Sequence, residues 1–172
     1  MTASKKIVLI IAFEKFRDEE YAIPKDIFTK AGYQVVTASA QLGTATGKFG
    51  LQAKVDLTLD QLKVADLDAV LFIGGPGSFN YYDDPLAQHL TREAIKEGKL
   101  LGALCAAPGI LAKAGVLKGK KATMDKDSGI IGQFGGTYTG SEVEVDGQII
   151  TATGPRTARA WAEKIIQHLH GK

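Results

Sequence analysis

Ile7-Val8-Leu9-Ile10-Ile11-Ala12 is a continuous, β-branched apolar run, the pattern of a strand buried on both faces of a parallel sheet. Ala69-Val70-Leu71-Phe72-Ile73 and Leu100-Leu101-Gly102-Ala103-Leu104 repeat it, and Gln34 to Ser39 supplies a further strand. Helices are expected between and after them. Pro24 to Gly32 opens with proline and stops at glycine, and Asp84 caps a helix with Pro85 at its first position, ending at Gly98. Ala106 to Ala114 reads as a short helix, and Arg156 to Leu169 as a closing amphipathic one. Leu51 to Asp60 alternates like an edge strand or hairpin arm, Lys121 to Met124 fits a short strand, and Asp146-Gly147 marks a hairpin within Glu142 to Thr151. Strands alternating with helices at this spacing predict a doubly wound α/β sandwich, and residues 1–172 read as one domain.

Composition removes several classes of function. Lys plus Arg is 21 and Asp plus Glu is 19, a formal charge of +2, and the scattered basic residues make no footprint for nucleic acid or anionic lipid. The longest apolar run, Ile7 to Phe13, is far short of the ~18–20 residues that span a bilayer. The basic start, Met1 to Lys6, is not followed by the apolar region of a signal peptide, so a cytoplasmic protein is expected. A single cysteine excludes an internal disulfide and a multi-cysteine zinc site. His89, His168 and His170 have no metal-ligand spacing with it, so neither metal nor cofactor is called for.

Three segments carry chemistry. Cys105 follows a buried strand and precedes a helix, at the carboxyl edge where open α/β sheets bind ligands. The helix N-terminus there is expected to lower the thiol pKa, as at a nucleophile elbow; the alternative is a buried structural thiol. Gly74-Gly75-Pro76-Gly77 ends another strand, where it either presents backbone N–H groups to a substrate oxygen or forms a plain turn. It is not a phosphate loop, since no Gly-Lys-Ser/Thr follows. Arg17-Asp18-Glu19-Glu20 is placed in the loop after the first strand, either as a solvated charged loop or as the source of a general acid/base whose pKa burial raises. Tyr81-Tyr82 is left as a pocket wall or an interface, Trp161 as core, and Arg156 as a solvated side chain or a partner for an acid.

Together these segments resemble the superfamily of the intracellular protease PfpI and the parkinsonism-associated deglycase, from about Lys6 to Leu169. The resemblance rests on Glu20-Tyr21-Ala22-Ile23-Pro24, Ile73-Gly74-Gly75-Pro76-Gly77, Ala103-Leu104-Cys105-Ala106-Ala107-Pro108, Gly115 to Thr123, and Val145-Asp146-Gly147 before Thr153-Gly154-Pro155. It implies a flavodoxin-like three-layer sandwich of the class I glutamine amidotransferase type. It also implies an obligate homodimer or larger assembly, and a reactive cysteine at the elbow. By the same resemblance Glu20 is the acid that bonds Cys105, with Asp18 and Glu19 as alternatives, and the Gly75 and Ala106 N–H groups are the oxyanion donors. PfpI-type proteases carry a histidine directly after the cysteine, where this chain has Ala106. The parkinsonism-associated branch takes its histidine from a later segment, where Asp125 stands as the possible third member.

The expected activity is cofactor-free chemistry on small reactive carbonyls, glyoxalase or deglycase in type, converting methylglyoxal to lactate. Cys105 is the nucleophile and Glu20 the proton shuttle. The alternative is a redox-sensing or chaperone-like stress protein with an oxidisable Cys105, and behind it an intracellular peptidase or another small-molecule hydrolase or hydratase.

Overall fold

The structure, a computed structural model, describes residues 5–171, so most of the basic start read as no leader lies outside the described residues. A seven-stranded sheet is formed by β1 (Lys6–Ile10), β3 (Gln34–Ser39), β6 (Leu57–Thr58), β7 (Ala69–Phe72), β8 (Leu100–Leu104), β11 (Val143–Asp146) and β12 (Ile149–Ala152). Its order is β11-β12-β8-β7-β1-β3-β6, and only the β11–β12 pair is antiparallel. Among the described residues five α-helices accompany it: α1 (Asp18–Lys30), α2 (Pro85–Lys96), α3 (Pro108–Lys113), α4 (Ile130–Gln133) and α5 (Ala158–His170). A three-stranded sheet of β2 (Glu14–Phe16), β4 (Gly43–Gly47) and β5 (Gln52–Val55) lies beside the main one, with a two-stranded pair of β9 (Lys121–Ala122) and β10 (Thr137–Tyr138).

The topology follows from handedness. From β1 the chain crosses through α1 to β3 on one side, and from β7 through α2 to β8 on the other. Right-handed crossovers in opposite directions put α1 and α2 on opposite faces, which gives three layers. α1 packs on α5 and α2 on α3. The strand order reverses between β1 and β7, so their carboxyl ends diverge and open a crevice. Every residue of β7 and β8 is buried, as the unbroken apolar runs required. Trp161 of α5 is fully buried over β8, its indole N–H donating to Ile150 O at 3.0 Å. Gly102 makes room for it, because a Cβ there would stand 2.7 Å from Leu71 Cδ2 and 3.0 Å from Trp161 Cζ2.

Several boundaries differ from the sequence reading. α1 starts at Asp18, and Pro24 lies inside it rather than opening it. The acidic first turn Asp18-Glu19-Glu20 favours the helix N-terminus, while Pro24 removes one main-chain donor and buries its ring. Glu20 therefore stands on a helix and not in a loop. The stretch Leu51 to Asp60 divides between two sheets at Asp56, whose N–H donates to Thr37 O and whose carboxylate accepts from Thr37 N–H. β2 and β4 carry no apolar run and were not legible in the sequence. α3 is shorter than expected, because residues 105–107 form a tight turn before it. Among the described residues no helix is long and apolar enough to cross a membrane.

Candidate active site

The site lies where the ends of β7 and β8 meet the first turn of α1. Cys105 directly follows β8 with φ +62°, a left-handed conformation that L side chains rarely adopt. The strain is held from both sides: Cys105 N–H donates to Ala152 O at 3.0 Å, and Asp125 N–H donates to Cys105 O at 2.9 Å. The conformation lifts the side chain out of the sheet edge toward α1, and it remains partly exposed.

Glu20 is fully buried. Its Oε1 accepts the Gly74 N–H at 3.0 Å, whereas Oε2 is buried with no hydrogen-bond partner among the described residues. Gly74 separates Glu20 from Cys105: a Cβ there would lie 2.6 Å from both Cys105 Cβ and Glu20 Oε1. Gly154 closes the far side, where a Cβ would stand 2.7 Å from Glu20 Oε2. Only residues without side chains allow this contact between β7, β8 and α1. Gly75, at φ +106°, turns the chain against the backbone of residues 15–17, and Arg17 N–H donates to Gly74 O at 2.9 Å.

Burial raises the Glu20 carboxyl from 4.5 to about 7, against the lowering pull of the Cys105 thiol, the Gly74 amide and Arg17. Burial also pushes the Cys105 thiol up to about 12, reinforced by the negative charges of Glu20 and Asp125 and opposed by the Ala106 N–H. This corrects the expected depression of the thiol. A helix of six residues contributes too little positive potential to outweigh burial beside two carboxyl groups.

The remaining sequence candidates separate clearly. Ala106 follows Cys105 in the turn, and its N–H faces the sulfur. Gly75 N–H finds no partner among the described residues. Asp125 is tied to Cys105 through its backbone, but its side chain is exposed and accepts from Lys126 N–H at 2.9 Å. Asp18 faces away, accepting from Phe49 and Leu51 N–H at 2.9 and 2.8 Å, and Glu19 pairs with Arg17 at 2.7 Å. Neither shares the Glu20 environment. His89 lies on α2, and His168 and His170 lie on α5. Among the described residues no group of His, Cys, Asp and Glu is placed to hold a metal. Tyr82, expected from the sequence at a pocket wall or a dimer interface, donates from its hydroxyl to Ala106 O at 2.6 Å. Arg156 is exposed.

The sequence matches a known family: the model of the DJ-1/PfpI family fits residues 5–168. The chain belongs to the DJ-1/PfpI family. Among its relatives, Protein/nucleic acid deglycase 2 of Escherichia coli is 33% identical over 170 residues, 96% of this chain and 98% of that protein. Glutathione-independent glyoxalase DJR-1.2 of Caenorhabditis elegans is 26% identical over 171 residues, 99% of this chain and 92% of that protein. Among solved structures, the crystal structure of a ThiJ/PfpI domain protein from Brachyspira murdochii superposes with a TM-score of 0.96 at 28% identity, covering 99% of both chains. DJ-1/PfpI membership and the mostly parallel α/β sandwich agree with the resemblance read from the motifs.

Proposed function

We propose that this DJ-1/PfpI protein is a cofactor-free enzyme that converts small α-oxoaldehydes to 2-hydroxy acids, with Cys105 as nucleophile and Glu20 as proton shuttle. The observation that carries this reading is the fully buried Glu20, raised to about 7 beside the thiol, with one carboxyl oxygen unpartnered. A group titrating near neutrality both accepts and returns protons, as a shuttle must. The names of relatives, a deglycase and a glutathione-independent glyoxalase, support the same class of chemistry.

The steps balance without an external oxidant. Cys105 Sγ bonds to the aldehyde carbon, its proton passes to Glu20, and the carbonyl electrons move to oxygen. The Gly75 and Ala106 N–H groups hold that developing charge. Glu20 returns the proton to the oxygen, giving a hemithioacetal. Glu20 then takes the proton from the former aldehyde carbon and delivers it to the neighbouring carbonyl carbon, while the hemithioacetal hydroxyl proton passes to the neighbouring oxygen, an internal redox shift that gives a 2-hydroxy thioester. One carbon is oxidised and its neighbour reduced. Water cleaves the thioester, releasing the 2-hydroxy acid and the free thiol. Because the resting thiol is protonated, attack is coupled to transfer to Glu20. That transfer also removes the carboxylate charge that disfavours thiolate.

The same raised thiol gives less support to the redox-sensing alternative, since oxidation proceeds through an accessible thiolate. The test is lactate formation from methylglyoxal by metal-stripped protein without added thiol, compared with Cys105→Ser and Glu20→Gln. Lactate from the wild type alone supports the reading; equal background in all three overturns it. We further propose that the substrate is the small carbonyl itself and that the working form is a homodimer, checked by light scattering.

A further inference from the structure

Three consecutive peptide groups around the reactive turn are held by hydrogen bonds from outside it, besides the turn's own Ala107 N–H to Leu104 O bond at 3.1 Å. Cys105 N–H donates to Ala152 O at 3.0 Å, Asp125 N–H donates to Cys105 O at 2.9 Å, and the Tyr82 hydroxyl donates to Ala106 O at 2.6 Å. The first two are main-chain bonds that many sequences supply. The third depends on one side chain and is the shorter of two bonds to Ala106 O, which also accepts the Gly109 N–H at 3.3 Å.

Tyr82 is itself held in place. Gln88 Nε2 donates to Tyr82 O at 2.8 Å, and the Phe79 ring lies 4.9 Å from the Tyr82 ring, centroid to centroid. Gly109, in the first turn of α3, leaves the space the phenol fills, because a Cβ there would stand 2.2 Å from both Tyr82 Cζ and Oη. The neighbouring Tyr81 is directed elsewhere: its hydroxyl donates to Ile11 O at 2.8 Å, beside Ser39. Two adjacent tyrosines thus make the same kind of bond, one at the reactive turn and one in the core. Burial first, then the negative charges of Asp125 and Cys105, raise the Tyr82 hydroxyl, so it stays a donor through the neutral range.

We propose that Tyr82 is a positioning residue: by holding the Ala106 carbonyl, its hydroxyl keeps Cys105 in the left-handed conformation that sets Sγ beside Glu20 and the Ala106 N–H. The proposal rests on Cys105 being the reacting group, but its test needs no turnover. A backbone held off its intrinsic minimum persists only while its surroundings over-determine it, and here the shortest of the restraints on the turn is a removable hydroxyl. Loss of that restraint lets the 105–107 turn relax and withdraws the Ala106 N–H, the group that favours thiolate.

The experiment is iodoacetamide alkylation as a function of pH, in wild type, Tyr82→Phe and Tyr81→Phe. Cys105 is the single cysteine of the chain, so the readout belongs to it alone. In Tyr82→Phe the profile moves to higher pH by about one unit, making alkylation on its rising limb about tenfold slower. With methylglyoxal, kcat falls by about ten- to a hundredfold while KM holds, as for misplacement of a reacting group. Tyr81→Phe lowers thermal stability and leaves both readouts at wild type. Gly109→Ala displaces the hydroxyl from the opposite side and reproduces the Tyr82→Phe profile even where that variant folds poorly. A Tyr82→Phe profile that superimposes on wild type, moves to lower pH, or matches a shift in Tyr81→Phe overturns the proposal. If no variant and no wild type turns over methylglyoxal, the proposed reaction falls and the alkylation profile still decides the role of Tyr82.

Discussion

Replacing Glu20 with glutamine keeps the shape of the side chain and the acceptor for the Gly74 N–H, and removes only the ability to ionise. Burial raises the carboxyl from 4.5 to about 7. Between these two pH values the folded protein holds a proton that the unfolded chain releases, so folding stability declines as pH rises through the window and levels off above it. A gap of about 2.5, at ~1.4 kcal/mol for each step of one, gives about 3 kcal/mol. The glutamine variant has no such dependence. The stability difference between the two proteins therefore changes by about 3 kcal/mol from pH 4.5 to 8, with the variant favoured at the alkaline end. In a chain of this size that is on the order of 6–12 °C in Tm. The raised Cys105 thiol departs from its ordinary behaviour only above pH 9, outside this window. Urea unfolding at half-unit pH steps measures the difference directly. A difference that is flat with pH, or that favours the wild type at pH 8, refutes the reasoning. It would mean that the Gly74 amide, the Cys105 thiol and Arg17 together stabilise the carboxylate more than burial penalises it.

Three further outcomes follow from the same geometry. Gly102→Ala forces a methyl group against Leu71, Trp161 and the Ile150 carbonyl, and is expected to cost about 1–3 kcal/mol in denaturant unfolding. At position 105 the left-handed backbone reverses the usual ranking of glycine and alanine. Cys105→Gly is expected to be more stable than Cys105→Ala by about 1 kcal/mol, measured by thermal unfolding of the two inactive variants. Turnover requires Glu20 unprotonated to take the thiol proton, so kcat/KM for methylglyoxal is expected to rise with pH through a limb near 7, read from initial rates.

The main strands were legible because β1, β7 and β8 are buried on both faces and so need unbroken apolar sequence. The Asp84-Pro85 start of α2 was legible too, because Asp84 accepts the Leu86 N–H at 2.9 Å as a cap should. Cys105, Glu20, Gly75 and Ala106 converge at one sheet edge because strand ends meet there in any doubly wound sheet. Proline at position 24 concealed the start of α1, since Pro opens helices more often than it sits inside them. The direction of the thiol's shift was not legible: it is a contest between a helix terminus and burial beside carboxyl groups, and sequence shows only the first. Tyr82 was hidden for a different reason. Its partner is a main-chain carbonyl 24 positions away, which imposes no recognisable side-chain type; Gly109, the space it occupies, was the one available signal.

The proposed reaction requires a covalent bond between Cys105 and the substrate carbon that becomes a thioester. Hydroxylamine converts a lactoyl thioester to lactohydroxamate, detectable by mass spectrometry; because it also condenses with methylglyoxal, it is added to protein acid-quenched during turnover and freed of methylglyoxal. The wild type is predicted to yield lactohydroxamate, and Cys105→Ser to yield none. Lactate released by the wild type without any lactohydroxamate, or equal lactohydroxamate from Cys105→Ser, would contradict the mechanism.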